Sequence, residues 1–264
     1  MFTGERLDPR LSLGTQIYQL HHSRYIFATN HADSKHVLDL ACGTGYGSAE
    51  LATRAKLVVA ADISDSTLHD AKTNYGCTNI EFLVTNALNL SLNSKSLHLV
   101  VAFEMIEHMP APDRCLEEIR RVLIPGGKLI ISAPNRAIHS PGRRKPLHKW
   151  HHFEPTVEEF RALLENAGFH IESLMGQNAQ SNSGTSLKKS KRNPLIVSAV
   201  KAGQMLLPIT PKWLQRVLLN LIRDHRLFWR MLPSYQPALS SDISFDESRP
   251  DLAMNLIAVC SVPH

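Results

Sequence analysis

The sequence predicts a doubly wound α/β fold, a mostly parallel sheet with helices on both faces. Three observations predict it. Apolar runs of strand length alternate with helical segments over the first two thirds of the chain. The runs Leu57-Val58-Val59-Ala60-Ala61, Leu99-Val100-Val101-Ala102-Phe103 and Leu129-Ile130-Ile131 are apolar at every residue rather than every second one. That pattern suits strands covered on both faces. The first strand also empties into a glycine-rich bend followed by a helix, the place where such sheets receive a ligand.

Each element has its own signal. Residues 15–30 read as a helix whose apolar members are Ile17, Leu20, Tyr25 and Phe27. His36 to Leu40 is a first strand, ending in Cys42-Gly43-Thr44-Gly45-Tyr46-Gly47, and a helix follows over Ser48 to Arg54. Leu57 to Ala61 is a second strand ending at Asp62, after which Ser64 caps a helix from Asp65 to Tyr75. Ile80 to Val84 and Leu97 to Phe103 are the third and fourth strands. Asp113 to Leu123 is helical, with Leu116, Ile119 and Leu123 on one face. Pro125-Gly126-Gly127 turns into a fifth strand, Lys128 to Ser132. Residues 135–152 form a polar, basic loop with several histidines. Thr156 and Glu159 make a capping box for a helix that Gly168 stops, and Phe169 to Met175 is a sixth strand.

Beyond that point the signals weaken. Residues 177–193, rich in Ser, Asn and Lys, read as a mobile loop. Two helices are expected over 194–207 and 211–232, then irregular chain over 233–250 and a last strand from Leu252 to Val262. The expected division is a helical cap over 1–30, an α/β domain over 31–177 and 251–264, and a helical insertion or lid over 178–250. The amphipathic helix 211–232 has three readings: packing on the domain, a lid over the acceptor, or contact with a membrane surface through 194–232.

Composition sets outer bounds. With 264 residues, 43% of them apolar, the chain can bury a full core without disulfides. Cys42, Cys77, Cys115 and Cys260 are far apart and in no metal-ligand spacing, so reduced thiols and no metal are expected. Met1 to Arg10 lacks the apolar segment of a signal peptide, and no apolar run is long enough to span a membrane. A cytoplasmic location is expected, with peripheral contact at the inner membrane surface as the role of 194–232 on its third reading. The net charge of +5 is local, in Arg143, Arg144, Lys145 and Lys149 and in Lys188, Lys189, Lys191 and Arg192. These clusters read as solvated loops or as contacts to an anion. They are small and not interleaved with aromatics, which argues against a nucleic-acid partner.

The glycine bend carries the most chemistry. A dinucleotide turn is spaced GxGxxG. Here Gly43, Gly45 and Gly47 are spaced GxGxG, with Asp39 four residues ahead and Ala41 between. An acid there would repel a pyrophosphate but suits a cationic amino group. Asp62, at the end of the next strand, can accept two hydrogen bonds from a ribose diol. The amide of Asn86, before Ala87, can pair with an adenine edge, and Ile63 can cover an adenine face. The fourth strand ends Phe103-Glu104-Met105-Ile106-Glu107-His108, which puts Glu104 and His108 near the reacting end of a ligand lying across the strand ends.

The strings VLDLACGTGYGS, VVAADIS, FEMIEHM and RRVLIPGGKLIISAPN resemble the class I S-adenosylmethionine (SAM)-dependent methyltransferases. The opening Phe2-Thr3-Gly4-Glu5-Arg6, His21, Arg24-Tyr25, Pro134-Asn135-Arg136 and the His151/His152 to Glu159-Phe160 stretch resemble a narrower group, bacterial methyltransferases of polysaccharide and O-antigen biosynthesis. The resemblance implies a Rossmann-like sheet of seven strands, the last antiparallel, and SAM as cofactor. It implies that Asp39, Ala41 and the glycines hold the methionine part, Asp62 the ribose, and Ile63, Asn86 and Ala87 the adenine, with Phe103 and Glu104 completing the cofactor site. The family usually carries Asp where Asn86 stands; an amide still faces adenine.

A sulfonium donor is already activated, so the protein's main task is alignment. The expected reaction is O-methylation of a small-molecule acceptor, a sugar or glycan-type hydroxyl, with His108, His151 and His152 as candidate bases and His21 and His148 nearby in function. A quinone, lipid or natural-product hydroxyl is the alternative acceptor. A catalytically silent partner protein is another reading, against which the intact bend and Asp62 argue; the glycine spacing argues against a nicotinamide dehydrogenase.

Overall fold

The computed structural model describes residues 15–179 and 243–263. The segment 178–250 therefore lies mostly outside the described residues, as do the expected helices 194–207 and 211–232, the 188–192 basic cluster and the Phe2–Arg6 motif.

The chain runs α1 (Gln16–Thr29), β1 (His36–Leu40), α2 (Tyr46–Ala52), β2 (Leu57–Asp62), α3 (Asp65–Tyr75), β3 (Ile80–Val84) and β4 (Leu97–Ala102). A 3-10 turn over Ile106–His108 leads to α4 (Pro112–Val122), β5 (Leu123–Pro134), α5 (Arg136–His139), α6 (Val157–Asn166) and β6 (His170–Ala179). The chain closes with β7 (Ile243–Asp246), a 3-10 turn over Pro250–Leu252, and β8 (Asn255–Ser261). The strands form one sheet in the order β3-β2-β1-β4-β5-β8-β6-β7. β1 to β5 are mutually parallel, and β8 is antiparallel to both β5 and β6.

The all-apolar strands follow from burial on both faces. Leu38, Val59, Val100 and Leu129 point into one core, against Leu116 and Ile119 of α4 and Phe160 and Leu164 of α6. Their neighbours Val37, Val58, Leu99 and Ile130 point into the other, against Ala28 of α1, Leu51 of α2 and Leu68 of α3. The expected caps form: Ser64 Oγ accepts from Thr67 N, and Thr156 and Glu159 close a reciprocal capping box.

Two expectations need correction. Among the described residues the sheet has eight strands, not seven, because Ile243–Asp246, expected to be irregular, pairs antiparallel with Gly176–Ala179 at the edge. The α/β unit accordingly breaks at Ala179 and resumes at Ile243. Helix α1 buries a different face from the one expected. Its buried residues include His22, Arg24 and Thr29 beside Tyr18, Leu20 and Tyr25, while Ile17 is 61% exposed. The face it turns to the sheet is partly polar because it borders a functional site.

Candidate active site

The bend after β1 crosses the left-handed region at Ala41 (φ 60°), Gly43 (φ 54°) and Gly45 (φ 83°). The glycines do different jobs. A Cβ on Gly43 would meet nothing within 4 Å, so this residue faces open space. A Cβ on Gly45 would come within 2.8 Å of Ala71 Cβ, and one on Gly47 would overlap the Tyr25 ring. Gly43 leaves room above the bend; Gly45 and Gly47 let α3 and α1 close against it.

Asp39 sits behind the bend, fully buried. Its Oδ2 accepts from Ser48 Oγ at 2.5 Å and its Oδ1 from Tyr25 Oη at 3.1 Å. Burial raises its carboxyl to about 7 against the opposing pull of those two hydrogen bonds. The expected role at a cationic amino group would therefore be exercised by charge from behind the bend, with both oxygens already engaged. Asp62 is directed across it: Oδ2 accepts from Gly43 N at 3.1 Å and Oδ1 from Ser64 N at 2.9 Å. A carboxylate at the end of β2 stands where a ribose diol would lie across the strand ends.

Ile63 is 68% exposed beside Asp62, so its side chain is available to cover an adenine face. Asn86 is exposed, and its Oδ1 accepts from Leu88 N at 2.9 Å, leaving the amide NH2 outward. Ala87 packs partly into the core. Phe103 is buried, edge-on to Tyr25 at 5.1 Å.

At the end of β4 lies a polar centre that sequence reasoning noted only in passing. Glu104 has φ 48°, a strained value for a non-glycine residue. Arg24, 1% exposed, donates from Nη1 to Glu104 Oε1 at 2.5 Å and to Ser132 Oγ at 3.1 Å. Burial works to raise the Glu104 carboxyl, but Arg24, His21 and the hydrogen bonds bring it down to about 2. His21 is held near 3 by burial and by Arg24, so it is neutral at ordinary pH. Arg24 Nε and Nη2 and the Tyr46 hydroxyl are buried without a partner among the described residues. Unpaired buried donors are costly. A carboxylate reaching these donors would satisfy them, so the residues present fit the amino-acid end of SAM. The signal in the sequence was Arg24-Tyr25 on the first helix.

A second centre follows β4. His108 Nδ1 lies 3.1 Å from Trp150 O, and His151 Nδ1 lies 2.7 Å from Glu154 Oε1. The His108 and His151 ring centroids are 5.0 Å apart, and the His148 ring lies tilted against that of His151 at 4.2 Å. Glu154 is 2% exposed and its Oε2 accepts from Ser140 Oγ at 2.5 Å. Burial lowers the His151 pKa, with His148 and His108 adding to that and Glu154 opposing it. His152 takes a different place from the one expected: its ring is exposed, and its backbone N–H donates to Glu107 O at 2.8 Å. The structure thus joins His108 to His151 and His148, and adds Glu154, three residues after His151, which sequence reasoning missed.

This is the arrangement of an α/β enzyme that holds a nucleoside-bearing amino acid across its strand ends beside a histidine cluster. The family described as methyltransferase domain matches residues 38–131. A protein of Mycolicibacterium smegmatis named probable S-adenosylmethionine-dependent methyltransferase is 34% identical over 174 residues, covering 66% of this chain and 67% of that one. The chain belongs to the SAM-dependent methyltransferases. A ubiquinone biosynthesis O-methyltransferase of Coxiella burnetii is 34% identical over 111 residues, covering 39% of this chain and 44% of its own. Among solved structures, a SAM-dependent methyltransferase from Mesorhizobium loti shares the fold, with a TM-score of 0.55, 15% identity, and 92% and 99% of the two chains covered. Among the described residues no helix is long and apolar enough to cross a membrane.

Proposed function

We propose that the enzyme O-methylates a hydroxyl of a sugar or glycan-type acceptor. The observation that carries this is the His151–Glu154 pair beside His108, past the carboxyl end of β4. Two imidazoles with tied Nδ1 atoms offer neutral Nε2 lone pairs at the position where an acceptor would enter. The hydroxyl proton is drawn off at this cluster. SAM, when bound, would supply an activated methyl group for in-line attack by that oxygen, the carbon–sulfur electron pair staying on sulfur. The cofactor residues are those named above: Asp62 at the ribose, Ile63, Asn86 and Ala87 at the adenine, and the bend with Arg24 at the methionine end.

The surroundings favour a polar, anionic acceptor. A cavity of about 340 Å³ lined by Arg136, Arg143, Arg144 and Thr156 opens in the same loop region that supplies His148 and His151. Arg136 is paired with Glu159 at 2.6 Å, which leaves Arg143 and Arg144 as exposed donors for a phosphate or carboxylate on the acceptor. The similarity to the Coxiella burnetii enzyme supports a second reading, a quinol hydroxyl, but the basic rim suits that apolar ring less well. The deciding experiment incubates the enzyme with methyl-labelled SAM and separate panels of sugar phosphates, glycans and quinols, locating the methyl by mass spectrometry and NMR. An O-methyl sugar is expected. Methyl incorporation only into quinols, or only at nitrogen or carbon, would overturn the proposal.

A further inference from the structure

Composition and cysteine spacing led to the expectation of no metal. The fold, however, brings His151 beside the adjacent pair Glu107 and His108, more than forty residues earlier in the chain. One ligand atom from each of Glu107, His108 and His151 lies within 4.8 Å of the others. Glu107 is 1% exposed, and its Oε2 is buried with no hydrogen-bond partner among the described residues. Such an atom is normally satisfied. Both rings have Nδ1 on an acceptor, a backbone carbonyl for His108 and the Glu154 carboxylate for His151. Those contacts fix the tautomer with the proton on Nδ1 and the lone pair on Nε2. A metal-bound histidine shows the same pattern, with its second ring nitrogen held by a carbonyl or carboxylate. Glu154 is itself held by Ser140, which supports the ligand-orienting shell one step further.

We propose that Glu107, His108 and His151 bind one divalent first-row transition-metal ion, and that this ion holds the acceptor hydroxyl. Two imidazoles and one carboxylate suit zinc, iron(II) or cobalt(II), and leave coordination positions open for a substrate oxygen. At zinc bond lengths of about 2.0–2.2 Å, ligand atoms sit about 3.3 Å apart. Both rings are only partly buried, and small tilts about their Nδ1 contacts would close that distance. An ion held by these three residues would supply Lewis-acid polarisation of the acceptor hydroxyl, lowering the cost of releasing its proton to water. His151 is then a ligand rather than the base.

This inference rests on the acceptor site assigned above, but ion binding is read without acceptor, so the two can fail separately. Metal-stripped protein is titrated with Zn²⁺ by calorimetry and with Co²⁺ by visible absorption. One ion per chain is expected, with a Co²⁺ spectrum of low coordination number. Glu107→Gln, His108→Asn and His151→Asn should each weaken the ion by at least about tenfold. His98→Asn, in the unrelated His36–His98 ring contact, should leave it unchanged. Should Glu107→Gln fail to fold, the partly exposed His151 still permits the comparison. No stoichiometric ion, or an ion retained at full affinity in His108→Asn and His151→Asn, overturns the proposal. Full methyl transfer by the metal-stripped enzyme would leave O-methylation standing and remove the ion from it.

Discussion

Replacing Arg24 with Met removes the cation from the centre at the end of β4 while roughly keeping its volume. In the wild type, Arg24 is 1% exposed and bonds both Glu104 and Ser132. Breaking a buried pair by removing one partner costs about 3–5 kcal/mol, because the other charge is left uncompensated. The Glu104 side chain retains 21% exposure, so the lower end, about 3 kcal/mol, is expected. For a domain of this size that is a fall in Tm of about 6–12 °C. The pH dependence carries a sign. In the wild type Glu104 titrates near 2, below its unfolded value, so its stabilisation is present above about pH 4 and is lost as pH falls toward 2. Without Arg24 the largest influence opposing burial is gone and only His21 and the Ser132 hydrogen bond remain, so Arg24→Met should lose less stability on acidification than the wild type does. Urea and thermal denaturation of Arg24→Met, Glu104→Gln and the double variant measure the coupling. A loss below about 1 kcal/mol for Arg24→Met, or a double variant as unstable as the sum of the singles, would refute the reasoning.

Other outcomes follow from the same contacts. Gly47→Ala should cost about 1–3 kcal/mol through overlap with the Tyr25 ring, whereas Gly43→Ala, with free space around it, should cost about 1–2 kcal/mol through its backbone conformation alone; urea midpoints compare them. Glu154→Gln should slow methyl transfer by about ten- to a hundredfold with little change in SAM affinity, and should move the acid limb of the pH profile lower still, because Glu154 holds the His151 pKa up. The Asp39 carboxyl titrates near 7, and a bound sulfonium amino acid favours its ionised form. SAM affinity should therefore fall as pH drops below 7, and Asp39→Asn should flatten that dependence in binding titrations.

Much of the fold was legible because burial on both faces leaves an unbroken apolar pattern, and the glycine bend has a spacing that the turn geometry enforces. The eighth strand was not: Ile243–Asp246 is four residues long, has only partly buried or exposed side chains, and is defined by pairing with β6 rather than by its own pattern. Helix α1 misled because its sheet-facing side carries Arg24 and His22, whose burial depends on Glu104 and α2 rather than on apolar periodicity. Within the site, Asp62 and Ile63 stand where the strand-end rule puts them. The union of Glu107 and His108 with His151 could not be read from spacing, because it depends on the path of the loop after β5. The same loop turned the ring of His152 outward and left its backbone to pin Glu107.

The claim on which the account depends is that Asp62 and the bend hold the nucleoside of SAM at the end of β2. Calorimetric binding of SAM and of its demethylated product to the wild type and to Asp62→Asn tests it most directly. One molecule bound per chain, weakened roughly ten- to a hundredfold by the substitution as loss of charge-assisted hydrogen bonds predicts, agrees with the account. Equal affinity in a folded Asp62→Asn, or no binding to the wild type, contradicts it.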